Sequence, residues 1–205
     1  MRGLFVSFEG PDGCGKSTQI AKLKEYCESE GLDVILTREP GGTPISEEIR
    51  KLILDPAHKE MADEAEALLY AAARAQHVSQ RIKPALAEGK IVLCDRFMDS
   101  SIAYQAYGRQ LGDGVRVINE FAVQGVMPDI TFFLDLDPAE GKRRIMAAGS
   151  LDRLEQEAMD FHNRVYEGYG KIKELYPDRY VCIDASRSVD EVFEDIKKHF
   201  DERRS

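Results

Sequence analysis

The stretch Gly10-Pro11-Asp12-Gly13-Cys14-Gly15-Lys16-Ser17 decides how this chain is read. Its spacing is GxxxxGK[ST]: glycines let consecutive backbone N–H groups turn inward around phosphate oxygens, the lysine reaches the β- and γ-phosphates, and the hydroxyl serves Mg²⁺. An apolar run at 4–9 precedes it and an amphipathic pattern at 16–30 follows. The loop therefore stands at a helix N-terminus, where partial positive charge favours anions. Gly10, Pro11, Asp12, Gly13, Cys14, Gly15, Lys16, Ser17 and Thr18 are the expected contacts of a nucleoside triphosphate. The pattern alone does not separate a kinase from a GTPase, a transporter ATPase or a helicase.

Outward from the loop, runs rich in β-branched and aromatic residues at 34–37, 91–95, 130–136 and 180–183 alternate with helical patterns. The helical patterns lie at 46–54, 62–88, 115–125, 138–148, 155–175 and 189–200. Runs this continuous predict strands buried on both faces, hence a doubly wound α/β fold with a five-stranded parallel sheet. Gly31 stops the first helix, and Pro138 fits the first turn of a later one. A chain of 205 residues suits a single domain, 1–205. Disorder is expected only at 201–205, and the small residues Ala147-Ala148-Gly149-Ser150 are the expected mobile tip.

Composition narrows the function. A net charge of −9 argues against a surface built for nucleic acid, so an anionic ligand needs a local basic site. Cys14, Cys27, Cys94 and Cys182 are scattered without a CxxC pair, which indicates neither a zinc site nor a disulfide framework and suits a reducing cytoplasm. The apolar start runs straight into Glu9 and Gly10 and reads as a strand rather than a signal peptide, and no stretch is long enough for a membrane span.

A GTPase needs an Asn-Lys-x-Asp segment after a late strand, but the residues there are Asp184-Ala185-Ser186-Arg187. Helicases and transporter motors are usually longer. Small-molecule phosphotransfer is the favoured class. The strand at 91–95 ends in Asp95 and Arg96, where open α/β sheets bind ligands. Asp95 is a candidate Mg²⁺ ligand with Ser17, and Arg96 a candidate bridge between donor and acceptor phosphates; a surface ion pair is the alternative. Asp135 and Asp137 rank lower for metal because they can cap the next helix. His58, His77, His162 and His199 have no ligand spacing and read as surface or capping residues. An anionic phosphate acceptor requires no histidine base.

Five ordered segments resemble the thymidylate kinase family. They are Phe8-Glu9-Gly10-Pro11-Asp12-Gly13-Cys14-Gly15-Lys16-Ser17-Thr18; Thr37-Arg38-Glu39-Pro40-Gly41-Gly42-Thr43; Leu69-Tyr70-Ala71-Ala72-Ala73-Arg74-Ala75-Gln76-His77; Cys94-Asp95-Arg96-Phe97 with Asp99-Ser100-Ser101-Ile102-Ala103-Tyr104-Gln105; and Leu151-Asp152-Arg153-Leu154-Glu155. The resemblance covers essentially the whole chain. It implies transfer of the γ-phosphoryl group of ATP, with Mg²⁺, to thymidine monophosphate (dTMP), yielding dTDP for dTTP synthesis. It also implies a homodimer with no membrane or nucleic-acid partner, and a small helical lid near 142–154.

Residue by residue, the resemblance places Arg38 and Arg96 at the acceptor phosphate, Tyr70 on the thymine ring and Arg74 on its edge. A core role for Tyr70 stays open. Ser101, Tyr104 and Gln105 continue the acceptor pocket, with a buried helix face the equal alternative for Tyr104, and Asp12 meets the 3′-hydroxyl of the deoxyribose, metal being its other candidate partner. Lys16, Arg96, Arg153 and Asp12 form the expected catalytic set.

The chain departs from the family at the lid. Gly13 stands where one group carries a basic residue, while Met146 and Ala148 stand where the bacterial group commonly has arginines. Arg153 is then the expected lid cation, with Arg144 second on the ATP side; Ala73 replaces an acid often found beside Arg74. Another nucleoside monophosphate or deoxynucleoside kinase, and a non-catalytic ATP-binding switch, are the alternatives.

Overall fold

The computed structural model describes residues 2–148 and 151–204. Five parallel strands, β1 (Phe5–Glu9), β2 (Val34–Arg38), β3 (Ile91–Asp95), β4 (Ile130–Asp135) and β5 (Tyr180–Asp184), form a sheet of order β2-β3-β1-β4-β5. β1 lies centrally, with Phe5 opposite Val92 on β3 and Val6 opposite Ile130 on β4. The chain reverses direction across the sheet beside β1, which opens a crevice at its C-terminal end, where the glycine-rich loop leaves.

The two-residue period of the strands divides the core. Val6, Phe8, Leu93, Ile130, Phe132 and Leu134 face α1 (Lys16–Ser29) and α9 (Val189–Arg204) through Ile20, Leu23, Ile196 and Phe200. Phe5, Val92 and Cys94 face the opposite layer, meeting Val78, Ile82, Leu86, Phe97 and Val123. Phe5 and Phe97 meet edge to face with centroids 5.0 Å apart. Each such fully buried side chain contributes about 1.5–3 kcal/mol.

The helix expected at 62–88 is three pieces: α3 (Asp63–His77), a π-helical stretch Val78–Ile82, and α4 (Lys83–Ala87). Thr43 caps α2 (Pro44–Leu54), its Oγ1 accepting the Ser46 N–H at 3.3 Å, with Pro44 in the first turn. The segment after β3, which sequence patterning left without an element, is helical: α5 (Met98–Ser101) runs into a π-helical stretch Ile102–Gly108. α6 (Gly114–Val123), α7 (Pro138–Ala148) and α8 (Met159–Leu175) complete the layers. The helix expected from 155 begins at Met159, since Asp152 Oδ1 turns the preceding segment by accepting the N–H groups of Leu154 and Glu155 at 2.9 Å.

The tail expected to be disordered is helical through Arg204, because Val192, Ile196 and Phe200 anchor α9 in the core; Ser205 lies outside the described residues. Of the expected mobile tip, Gly149 and Ser150 also lie outside them. Among the described residues no helix is long and apolar enough to cross a membrane.

Candidate active site

Residues 10–15 leave β1 and cross the crevice, and Gly15, at φ 94°, releases the backbone into α1 at Lys16. No side chain caps the first turn of α1, so its N–H groups stay available to an anion. Gly13 has φ 79°, and a Cβ there would stand 2.4 Å from the Gly141 carbonyl oxygen of α7. A Cβ on Gly141 would in turn meet the Asp12 carbonyl oxygen at 2.4 Å. A side chain at 13 would therefore run into α7.

A cavity of about 440 Å³ joins this loop to the acceptor motifs. Asp12, Gly13, Gly15, Lys16, Ser17 and Thr18 line one end, and Tyr70, Arg74, Ser101, Tyr104 and Gln105 the other, with Asp95 and Arg96 between them and Arg38 at the side. Gly10, Pro11 and Cys14, in the same loop, are not among the residues lining the cavity and instead contact Lys16: its Nζ donates to the Gly10 and Pro11 carbonyls at 3.1 and 2.9 Å and lies 3.5 Å from Cys14 Sγ. Ser17 Oγ donates to Asp95 Oδ2 at 3.3 Å. Asp135 instead accepts from the Tyr166 hydroxyl at 2.6 Å and Asp137 from the Ala139 N–H at 2.7 Å, so both acids serve local structure.

Arg96 occupies the left-handed region at φ 67°, a conformation a non-glycine residue holds only when its surroundings impose it. Here they do. Its N–H donates to the Phe8 carbonyl at 2.9 Å, Cys94 Sγ donates to its carbonyl at 3.0 Å, and the next N–H, of Phe97, donates to Glu9 Oε1 at 2.7 Å. The guanidinium is equally constrained: Nη2 donates to Asp12 Oδ1 at 2.6 Å and the Tyr104 hydroxyl at 3.1 Å, and Nη1 to Ser100 Oγ at 3.0 Å and the Tyr169 hydroxyl at 3.1 Å.

Two carboxylates beside Arg96 are tuned in opposite directions. Burial pushes Glu9 up to about 7, reinforced by nearby Asp99 and only partly opposed by Arg96 and its hydrogen bonds. Burial also works against ionisation of Asp12, but Arg96, Lys16 and the Tyr104 hydroxyl outweigh it and hold that carboxyl at about 2. Asp12 therefore lines the cavity as an anion already neutralised by Arg96.

At the acceptor end, Arg74 is fully buried. Nε donates to Glu39 Oε2 at 2.7 Å, Nη1 to Ser101 Oγ at 2.9 Å and to Asn119 Oδ1, and Nη2 to the Phe97 carbonyl at 3.0 Å. Four of the five Arg74 N–H groups are thus paired despite Ala73, itself buried. His77, read from sequence as a surface or capping residue, is also buried: Nδ1 contacts Glu39 Oε1 at 2.9 Å and Nε2 contacts Thr37 Oγ1 at 2.6 Å. It stiffens the carboxylate that orients Arg74. Arg38 is half exposed and pairs with Glu47 at 2.8 Å.

The expected lid cations lie elsewhere. Arg153, far from being a free lid arginine, is buried outside the cavity lining: Nη2 lies 2.5 Å from Glu66 Oε2 and Nε donates to the Ile53 carbonyl at 2.8 Å. Arg143 and Arg144 share Glu140, both at 2.8 Å, while Met146 is exposed. Sequence reading also missed Arg50, Asp152 and Glu155 on the cavity wall, and Glu9 beneath it. Arg50 donates to the Pro40 carbonyl at 2.9 Å and is pushed down by burial and by Arg38. Its one available signal was a lone arginine inside an amphipathic helix, which any solvated face supplies.

Comparisons with known proteins point to one family. A family model described as thymidylate kinase matches residues 8–196. The chain is 54% identical over 196 residues to a thymidylate kinase of Geobacillus sp. (strain WCH70), covering 94% of this chain and 93% of the relative. It is 48% identical to a thymidylate kinase of Exiguobacterium sp. (strain ATCC BAA-1283 / AT1b), covering 99% and 96%. Among solved structures it is similar to the crystal structure of thymidylate kinase from Ehrlichia chaffeensis, with a TM-score of 0.79 at 35% identity, covering 98% of this chain and 99% of that one.

Proposed function

The chain belongs to the thymidylate kinase family and phosphorylates dTMP to dTDP with ATP, on the route to dTTP; we propose that it does so with the ATP phosphates in the glycine-rich loop and dTMP at the Tyr70 end. The observation that carries this reading is the single cavity lined by both Lys16 and Gln105, with Arg96 between them. A coupled assay with ATP and each of dTMP, dUMP, dCMP, AMP and GMP tests it. dTMP should be preferred, and preference for dCMP or a purine nucleotide would overturn the acceptor assignment.

The nucleophile is an oxygen of the dTMP phosphate, already anionic, so the barrier is set by bringing two anions together and balancing their charge. Lys16 leaves the Gly10 and Pro11 carbonyls to meet the β- and γ-phosphates, joined by the first-turn N–H groups of α1. Arg96 faces the acceptor phosphate with Arg38, whose exposed pair with Glu47 costs little to open. Asp12 accepts the deoxyribose 3′-hydroxyl, which frees part of Arg96 for phosphate. Tyr70 packs on the base and Ser101, Arg74 and Gln105 line its edge.

Ser17 and Asp95 would hold Mg²⁺: they offer only oxygen donors, and that ion takes few protein ligands beside phosphate and water. When bound, it neutralises charge on the β- and γ-phosphates.

Residues 1–205 work as one domain with 142–154 as the lid. Arg144 is the lid residue that turns to the ATP phosphates, whereas Arg153 anchors the lid's far end on Glu66. Phe121 is 86% exposed and, with Val117 and Leu68, supplies an apolar surface on two mutually packed helices. We assign it to a homodimer interface; sedimentation should show a dimer that Phe121→Asp dissociates. The four free cysteines support work in a reducing cytoplasm.

A further inference from the structure

Glu66 lies in the first turn of α3, fully buried, four residues before Tyr70. Its Oε1 accepts from Gln105 Nε2 at 2.8 Å and from Arg109 Nε at 3.3 Å. Its Oε2 accepts from Arg109 Nη2 at 3.0 Å and from Arg153 Nη2 at 2.5 Å. Two guanidinium groups thus bracket one buried carboxylate, and together with the Gln105 amide they hold the carboxyl below its usual range although burial acts the other way.

An ionised carboxylate only accepts hydrogen bonds, so whatever faces it must donate. The Gln105 carboxamide has a donor end and an acceptor end and could otherwise flip; beside Glu66 its nitrogen must turn to the carboxylate. Its Oε1 has no protein partner among the described residues, and Gln105, itself buried, lines the cavity. Next to it, Arg74 has five N–H donors, of which four are used, by Glu39, Ser101, Asn119 and the Phe97 carbonyl; the remaining one is on Nη2. Between them, Gln105 and Arg74 therefore offer this end of the cavity one acceptor and one donor.

That pair matches the N3–H and O4 edge of thymine. Cytosine presents the reverse, an unprotonated N3 and an N4 amino group. We propose that Glu66 is a positioning residue for base selection, holding the Gln105 carboxamide with its oxygen toward the base so that a pyrimidine with an N3–H is accepted and one with an N3 lone pair rejected. The proposal rests on dTMP being the acceptor. It also accounts for Arg109 and Arg153, which keep Glu66 charged rather than touching phosphate.

Steady-state kcat/KM values for dTMP, dUMP and dCMP test this in the wild type, Glu66→Gln, Gln105→Met and the double variant. dUMP shares the thymine edge and serves as the internal control. In Glu66→Gln the facing group can donate or accept, so Gln105 flips freely; the dTMP:dCMP ratio should fall roughly 10- to 100-fold while dTMP:dUMP stays put. Gln105→Met, which leaves the Glu66 ion pairs intact, should lose the same discrimination, and the double variant should lose no more than either single one.

An equal loss for all three substrates in Glu66→Gln, or additive losses in the double variant, would overturn the proposal. If Glu66→Gln does not fold, Gln105→Met alone decides: retained discrimination against dCMP sinks the idea. A wild type that prefers an acceptor other than dTMP would instead overturn the substrate assignment.

Discussion

Arg96 and Arg153 both stand in family motifs and were both expected at the transferring phosphate, yet the fold treats them in opposite ways. Arg96 is forced into the cavity by a left-handed backbone at φ 67° and meets a carboxylate, Asp12, that in the proposed binding mode passes to a substrate hydroxyl. Arg153 is drawn out of the cavity by the fully buried carboxylate of Glu66, which also binds Arg109 and the Gln105 amide. The nearest acid decides an arginine's role. An exchangeable acid leaves the cation available for chemistry, whereas a sealed one turns it into structure.

The sharpest way to break this comparison is to remove the Arg96 guanidinium. Arg96→Ala should lower kcat by about 10³–10⁵, the range of catalytic arginines in phosphoryl transfer. Arg96→Gly separates head group from backbone, since glycine adopts φ 67° without strain. Both variants should be equally slow in single-turnover kinetics. A glycine variant with near-normal kcat would mean that the turn, not the charge, matters.

Arg153→Ala should fail differently. Removing one partner of a buried pair leaves a carboxylate short of compensation, so stability should drop by about 3 kcal/mol in urea denaturation, tempered by the remaining Arg109. Its kcat should fall far less than that of Arg96→Ala. Abolished turnover with unchanged stability would return Arg153 to the phosphates.

The contrast also shows what a sequence exposes. The sheet was legible because strands buried on both faces write continuous apolar runs, and the loop because phosphate cradling needs glycines at fixed spacing. The π-helical stretch Ile102–Gly108 was not, since Tyr104 and Gln105 are placed by a wider turn, seen in the Arg109 N–H to Tyr104 carbonyl bond of 2.9 Å, that no simple periodicity marks. Glu9, Glu66 and His77 were hidden for another reason. A charged or polar residue reads as solvated until its partners, 38 or more positions away in the chain, are brought beside it.

Glu9 extends the comparison to pH. Its folded value of about 7 lies above the ordinary 4.5, so its contribution to stability is fully present below about 4.5 and is lost as pH rises through 7; Asp12, at about 2 against 3.8, contributes above 3.8 and loses it as pH falls toward 2. Relative to wild type, Glu9→Gln should therefore gain stability as pH is raised from 5 to 8. Urea titrations at both pH values measure the gap. A gap that does not change with pH would show that Glu9 keeps one protonation state throughout.

The smallest expected effect concerns Arg144, the residue proposed to meet ATP. Arg144 and Arg143 share Glu140, which they hold at about 2, and all three side chains are substantially exposed. An exposed pair is worth little, and Arg143 continues to neutralise Glu140 when Arg144 swings away, so the move is nearly free of cost. Arg144 also sits on the helix that touches the phosphate loop through Gly13 and Gly141, one turn from that contact. Arg144→Ala should then raise KM for ATP roughly 3- to 10-fold, the scale of one partly screened charge, with Tm unchanged. Arg143→Ala should change it less than about twofold, being the partner that stays on Glu140. Equal effects from the two variants would mean that the lid attracts ATP by net charge alone, and a larger effect from Arg143 would exchange their roles.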